Sequence, residues 1–177
     1  IMNQGGIAKR LVNFAFLFVG KIPGSLSHVN VLSNMMFGSV SGSAVAAAAA
    51  VGKTLLPQIK STGLNLPVAS AINIASCPTG MLIPPSNGLI VYSVVSGGTS
   101  IGALFLAGYV PGILMGLGCM IVGFIYFKLK PELAGNQTRV SYSLSEKLKI
   151  TWQALPSLGL IIVVIGSIIG GICTATE

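Results

Sequence analysis

The sequence predicts an all-α integral membrane protein built on a re-entrant helical hairpin and a broken transmembrane helix. Three observations predict it. The chain is 53% hydrophobic and only 7% charged, with a mean hydropathy of +0.87, which lies outside the range of soluble globular domains. Residues 61–127 carry no charged side chain and are long enough for more than one crossing. That run is interrupted by "GMLIPPSNG" at 80–88, whose adjacent prolines remove backbone hydrogen bonds that lipid cannot replace.

Ten Lys/Arg against three acids give a net charge of +7. The cations lie outside the apolar runs, as expected for cytoplasmic loops under the positive-inside rule. No basic cluster is interleaved with aromatics, so no nucleic-acid partner is expected. Cys77, Cys119 and Cys173 stand alone in apolar segments, without the spacing of a metal site or a disulfide framework. The chain opens at Ile1 without a signal-peptide pattern and closes at Glu177 directly after an apolar segment. Both ends read as cut, and a fragment of a longer protein is expected.

The elements follow in order. Segment 1–21 contains a short apolar stretch, 11–20, flanked by Lys9, Arg10 and Lys21. It is too short to span and is expected to lie in the membrane interface as an arm helix. Segment 22–52 has Lys21 before it and Lys53 and Lys60 after it, so its two ends belong on one side. Two full crossings take about 40 residues, more than the segment holds. A re-entrant hairpin of two half-length helices is therefore expected, its tip near "GSVSGSA" at 38–44.

Segment 53–99 holds a linker and the broken transmembrane helix, with the break spread over "PTGMLIPPSNG" at 78–88. Segment 100–127 is one long helix, about 42 Å at 1.5 Å per residue, and Gly108, Gly112 and Gly116 give it a smooth face for another helix. Segment 128–154 is a cytoplasmic loop ending in an amphipathic helix. Ser143 and Glu146 have capping-box spacing, and Leu144, Leu148, Trp152 and Leu155 share one face. Segment 155–177 is a further crossing.

The hairpin tip and the proline break belong together chemically. Carbonyls freed at helix C-ends suit a hard cation such as Na⁺, and N–H groups freed at helix N-ends attract a carboxylate. The tip adds the hydroxyls of Ser39, Ser41 and Ser43, and the break adds Thr79, Ser86 and Asn87. No acid precedes Glu132 and the only histidine is His28, whereas proton-driven transporters rely on intramembrane titratable groups. Sodium is therefore the expected coupling ion, with His28 a hydrogen-bonded structural residue. No catalytic triad, Cys/His pair, P-loop or GxGxxG pattern opens a helix here, so an enzyme is not expected. A purely structural membrane subunit, its breaks serving only packing, is the alternative from another class.

The runs "HVNVLSNMMFGSVSGSAVAAAAAVG" (28–52), "GMLIPPSNGLIVYS" (80–93), "SIGALFLAGYVPGILMG" (100–116) and "GGICTATE" (170–177) resemble the large membrane subunit of tripartite ATP-independent periplasmic (TRAP) transporters, the DctM family. Their texture is most similar to importers of sugar acids of the diketogulonate type. The resemblance implies one half of an inverted-repeat elevator transporter of the ion transporter superfamily, multi-pass in the bacterial inner membrane. It would import a sugar acid or C4-dicarboxylate with Na⁺ and use no other metal and no cofactor. A DctQ-type small membrane subunit and a DctP-type periplasmic binding protein would be its partners. A symporter of the same superfamily that needs no binding protein is the alternative.

On that pattern Gly38, Ser41, Gly42, Ser43, Thr79, Gly80 and Pro84 would bind sodium. Ser41, Ser43, Pro85, Ser86 and Asn87 would face the substrate. Ala47 departs from the family, many of whose members place Asp or Thr there. The second hairpin and second break fall outside the chain, which is expected to hold about one of two half-sites and not to transport alone.

Overall fold

The computed structural model describes residues 6–20, 22, 24–135 and 142–169. They form helices α1 (Ile7–Val19), α2 (Ser25–Ser41), α3 (Ala44–Thr62), α4 (Leu66–Ser76), α5 (Thr79–Leu82), α6 (Asn87–Val95), α7 (Ile101–Leu129) and α8 (Leu144–Ile169), with a 3₁₀ turn at Pro131–Ala134. No strand occurs among the described residues. Two helices, α7 and α8, are long and apolar enough to cross a membrane, and a third crossing results if α4 to α6 count as one bent span. The stretch "GGICTATE", Lys21 and Cys173 lie outside the described residues.

Helix α2 is the hub. It packs against α1, α3, α4, α5, α7 and α8 and buries polar as well as apolar side chains, among them Ser25, Ser27, His28, Asn30, Ser33, Asn34 and Ser39. The His28 imidazole donates from Nδ1 to the Gly24 carbonyl at 3.0 Å and stands edge-on to Phe124, the structural role expected of it. Helix α1 buries Ala8, Leu11, Val12, Ala15 and Phe16, a single stripe at helical spacing. That stripe packs on α2, α3 and α8, so protein covers the apolar face that the sequence assigns to the interface, while Lys9 and Arg10 point outward.

The hairpin differs from expectation in length. Its arms are 17 and 19 residues, because α3 does not stop at Gly52 but continues through Lys53 and Lys60 to the left-handed Gly63. The physical reason is a buried stripe that continues past the charges: Ala47, Ala50, Val51, Leu55 and Ile59 all face the core. Pro57 is accommodated inside the helix. Ala47 is fully buried, so a small apolar side chain suits its place.

The break is narrower than expected. Asn65 caps α4 by accepting from the Val68 N–H at 3.2 Å, and the chain stays helical through Pro78, which adopts right-handed helical angles as it leads into α5. Only 83–86 leaves the helix. The Pro84–Pro85 peptide is cis, Ile83 and Ser86 are extended, and Ser86 caps α6. The axes on either side are bent by 48°.

Helix α7 packs on this break with the glycine face read from the sequence. A Cβ on Gly108 would strike the Leu82 carbonyl, one on Gly112 would lie 2.6 Å from Ile83 Cγ1, and one on Gly116 would strike Met35. Helix α8 runs unbroken through Pro156. Glu146 accepts the Ser143 N–H at 2.8 Å, which is one of the two bonds of a capping box. Its Leu144, Leu148, Trp152 and Leu155 are exposed, Trp152 at 77%.

Candidate functional site

The two interruptions meet. Gly42 closes α2 in the left-handed region at φ +62°, its N–H donating to Gly38 O at 2.7 Å. Ser43 turns extended and caps α3, its Oγ accepting the Ala46 N–H at 3.4 Å. The Asn87 N–H donates to the Gly42 carbonyl at 3.4 Å, and a Cβ on Gly42 would lie 3.1 Å from Pro85 O and 3.2 Å from Asn87 N. One turn further down, Gly38 and Gly80 bring the backbones of α2 and α5 into direct contact. A Cβ on Gly80 would stand 2.5 Å from Gly38 Cα.

The residues singled out from the sequence divide into two groups. Ser41 and Ser43 are half-buried at the tip, where the Ser41 hydroxyl donates to Ser43 O at 3.3 Å and accepts the Ser43 N–H at 3.4 Å. Pro85 is half-buried and Asn87 exposed beside them. These four are the accessible members of the set. Thr79, Gly80, Pro84 and Ser86 are buried. The Thr79 hydroxyl donates to Ser76 O at 2.6 Å, and Ser86 Oγ accepts the Leu89 N–H at 3.4 Å, so both shape the break from within. Ser39 turns its hydroxyl back onto Met36 O at 2.8 Å and takes no part in the tip.

Charge at the site comes from the backbone. The sequence supplies no ionised side chain from 61 to 127. The tip instead gathers the C-terminus of α2, where partial negative charge favours a cation, and the N-termini of α3 and α6, where partial positive charge favours an anion. Oxygens from Ser41, Ser43 and the free end of α2 are hard, neutral donors of the kind that suits Na⁺, so the residues present fit that ion.

Sequence reasoning missed a polar cluster next to the site. Asn34 Nδ2 lies within donating distance of Asn30 Oδ1 (3.2 Å), Asn73 O (3.3 Å), Asn73 Oδ1 (3.0 Å) and Ser76 Oγ (2.8 Å). The signal was present as amides at i, i+4 on α2 and a polar pair at i, i+3 on α4, inside otherwise apolar helices. A separate groove of about 600 Å³ between α4 and α7 is lined by Val68, Ile72, Met115, Cys119, Val122 and Tyr126. Its apolar walls do not suit a carboxylate.

The family model described as "Tripartite ATP-independent periplasmic transporter, DctM component" matches residues 1–177. Over the whole chain, the sequence is 51% identical to the uncharacterized protein YgiK of Salmonella typhimurium, covering 40% of that protein's length. It is 39% identical over its whole length to the sialic acid TRAP transporter large permease protein SiaM of Vibrio cholerae, again covering 40% of the relative. Identity to the C4-dicarboxylate TRAP transporter large permease protein DctM of Vibrio cholerae is 36%, over 99% of this chain and 38% of that one. The chain thus spans about two-fifths of the length of these curated relatives. The named relatives are transporter permeases and not enzymes. With a hairpin tip hydrogen-bonded to a broken helix, inside a match that runs the length of the sequence, the chain belongs to the DctM family of TRAP transporter large permeases.

Proposed function

We propose that the chain contributes one of two half-sites to a permease that imports a small carboxylate, a sugar acid or C4-dicarboxylate, together with Na⁺. The observation that carries the reading is the bond between the hairpin tip and the break, Asn87 N–H to Gly42 O, which gathers opposed helix ends at one neutral site. Ser41, Ser43 and the carbonyls closing α2 would hold the ion. The α6 N-terminus, with Asn87 and Pro85, would face the substrate carboxylate. Ion binding at the tip would order it against the break and so complete the wall that the substrate meets.

In the whole permease a second such half-site would close the pocket, and the unit would move across the bilayer as an elevator. A DctP-type periplasmic protein would deliver substrate and a DctQ-type small subunit would brace the scaffold in the bacterial inner membrane. Sialic acid and C4-dicarboxylates, for which two of the relatives are named, support a carboxylate, while another relative is named for isethionate, a sulfonate.

Thermal stability of the purified full-length permease, titrated with NaCl against KCl at constant ionic strength, tests the ion directly. Stabilisation by Na⁺ alone, weakened in Ser41→Ala and Ser43→Ala, is the expected result. Equal response to both salts in a folded protein would remove the basis for sodium coupling.

A further inference from the structure

The contacts between α2 and the broken helix advance in step. Asn30 Nδ2 donates to Ala69 O at 3.5 Å, Asn34 meets Asn73 and Ser76, Gly38 meets Gly80, and Gly42 meets Pro85 and Asn87. Residues 30, 34, 38 and 42 repeat every four positions and so form one stripe down α2. The upper half of that stripe is polar and the lower half is glycine.

We infer that Asn34 and Asn73 are positioning residues that pin the register of α2 against α4, and thereby hold the hairpin tip on the break. Asn34 is fully buried, and four oxygens from α2 and α4 surround its amide nitrogen. A group with two N–H bonds serves two of these at a time. The point on which the oxygens converge is therefore occupied by a donor, which makes the cluster a clasp and not a cation cage. Asn34 Oδ1 is buried without a hydrogen-bond partner, so this arrangement is kept although it leaves one acceptor unserved.

The clasp reaches both arms of the hairpin. Asn73 Nδ2 donates to Ala48 O on α3 at 3.0 Å, and a Cβ on Gly52 would lie 2.9 Å from that same nitrogen. It also reaches the break: the Ser76 hydroxyl donates to Asn73 O at 3.2 Å and the Thr79 hydroxyl to Ser76 O at 2.6 Å. Apolar packing alone tolerates a slide between helices. A buried amide with partners at one register only does not, because a slip strands it in a medium without water. A slide of one turn would also set Gly38 against a side chain in place of Gly80.

The geometric part of this inference stands on contacts alone, while its effect on transport rests on the Na⁺ reading above. Hydrogen exchange of the full-length permease, followed in segments 39–46 and 83–89, separates the two. In Asn34→Ala and in Asn73→Ala, exchange in both segments should rise about five- to ten-fold, the loss of one or two buried hydrogen bonds. The Na⁺ concentration for half-maximal uptake should rise in the same two variants by the factor by which the ordered fraction falls, since only that fraction binds. Asn65→Ala, which removes the α4 cap but touches neither tip nor break, should leave both readouts near wild type.

The double variant Asn34→Leu/Asn73→Leu keeps a filled, foldable interface without the amides. It should loosen both segments if register is set by polar contacts. Wild-type exchange at the tip in that variant, or in folded Asn34→Ala and Asn73→Ala, would overturn the inference. Loosened segments in a permease indifferent to Na⁺ would support the clasp and reject the sodium reading.

Discussion

The crossing of Gly38 and Gly80 makes one substitution predict opposite outcomes at different places. Alanine at Gly38 would put its Cβ onto the backbone of Gly80, and alanine at Gly80 would put its Cβ 2.5 Å from Gly38 Cα. Neither obstacle is the end of a flexible side chain. The helices must move apart, and the move also disturbs the Gly42–Asn87 bond at the tip. Overpacking costs about 1–3 kcal/mol where side chains yield, so about 3 kcal/mol is expected here. For a chain of this size that is a fall in Tm of about 6–12 °C. Gly118 sits in helix α7 with open space where an alanine methyl would go, and alanine there should stabilise by about 0.5–1 kcal/mol through reduced chain entropy. The double variant Gly38→Ala/Gly80→Ala should cost less than the sum, because one displacement relieves both clashes. Melting of the purified variants in one detergent, followed by loss of the monodisperse peak, reads all four. Gly38→Ala melting within about 1 °C of wild type would refute the claim that the backbones touch, since even the low end of the overpacking range shifts Tm by more.

Three further outcomes follow from the same geometry. Gly42→Ala should cost about 2 kcal/mol by melting, from left-handed strain and contact with Pro85 and Asn87, whereas Gly63→Ala, left-handed at φ +70° in open space, should cost about 1 kcal/mol. Equal costs would mean the tip does not press on the break. Ser43→Ala should lose about 1 kcal/mol of helix capping and raise the Na⁺ requirement for uptake, while Ser39→Ala, whose hydroxyl is tied to Met36 O, should leave that requirement unchanged. Trp152 is the only tryptophan in the chain and is exposed beside Leu148 and Leu155. Its fluorescence in reconstituted chain should be quenched more by lipids brominated near the headgroup than by those brominated deep in the acyl chain. An unquenched signal would mean that protein covers this face.

Much of the architecture was legible because lipid leaves few options. The uncharged run and its adjacent prolines located the broken helix, and the four-residue spacing of Gly108, Gly112 and Gly116 marked a packing face, which the structure sets against Leu82, Ile83 and Met35. The hairpin tip could be read from Gly42 between two serines. Lengths were less legible. Charge placed the end of the second arm at Gly52, but the buried stripe continues to Ile59, since lysines on an outer face do not stop a helix. Prolines also differ by context. Pro78 and Pro156 stay within helical paths, whereas the adjacent pair at 84–85 breaks one. The Asn34 clasp escaped notice because its partners lie 39 and 42 residues apart in sequence, and only the packing of α2 on α4 brings them together.

On the proposed function, this half-site couples an ion to a carboxylate. The most direct measurement is uptake of a labelled sugar acid into liposomes containing the full-length permease, its small subunit and binding protein, with and without an inward Na⁺ gradient at fixed pH. Uptake that appears only with the gradient is the predicted result, and uptake that proceeds equally without Na⁺ would contradict it.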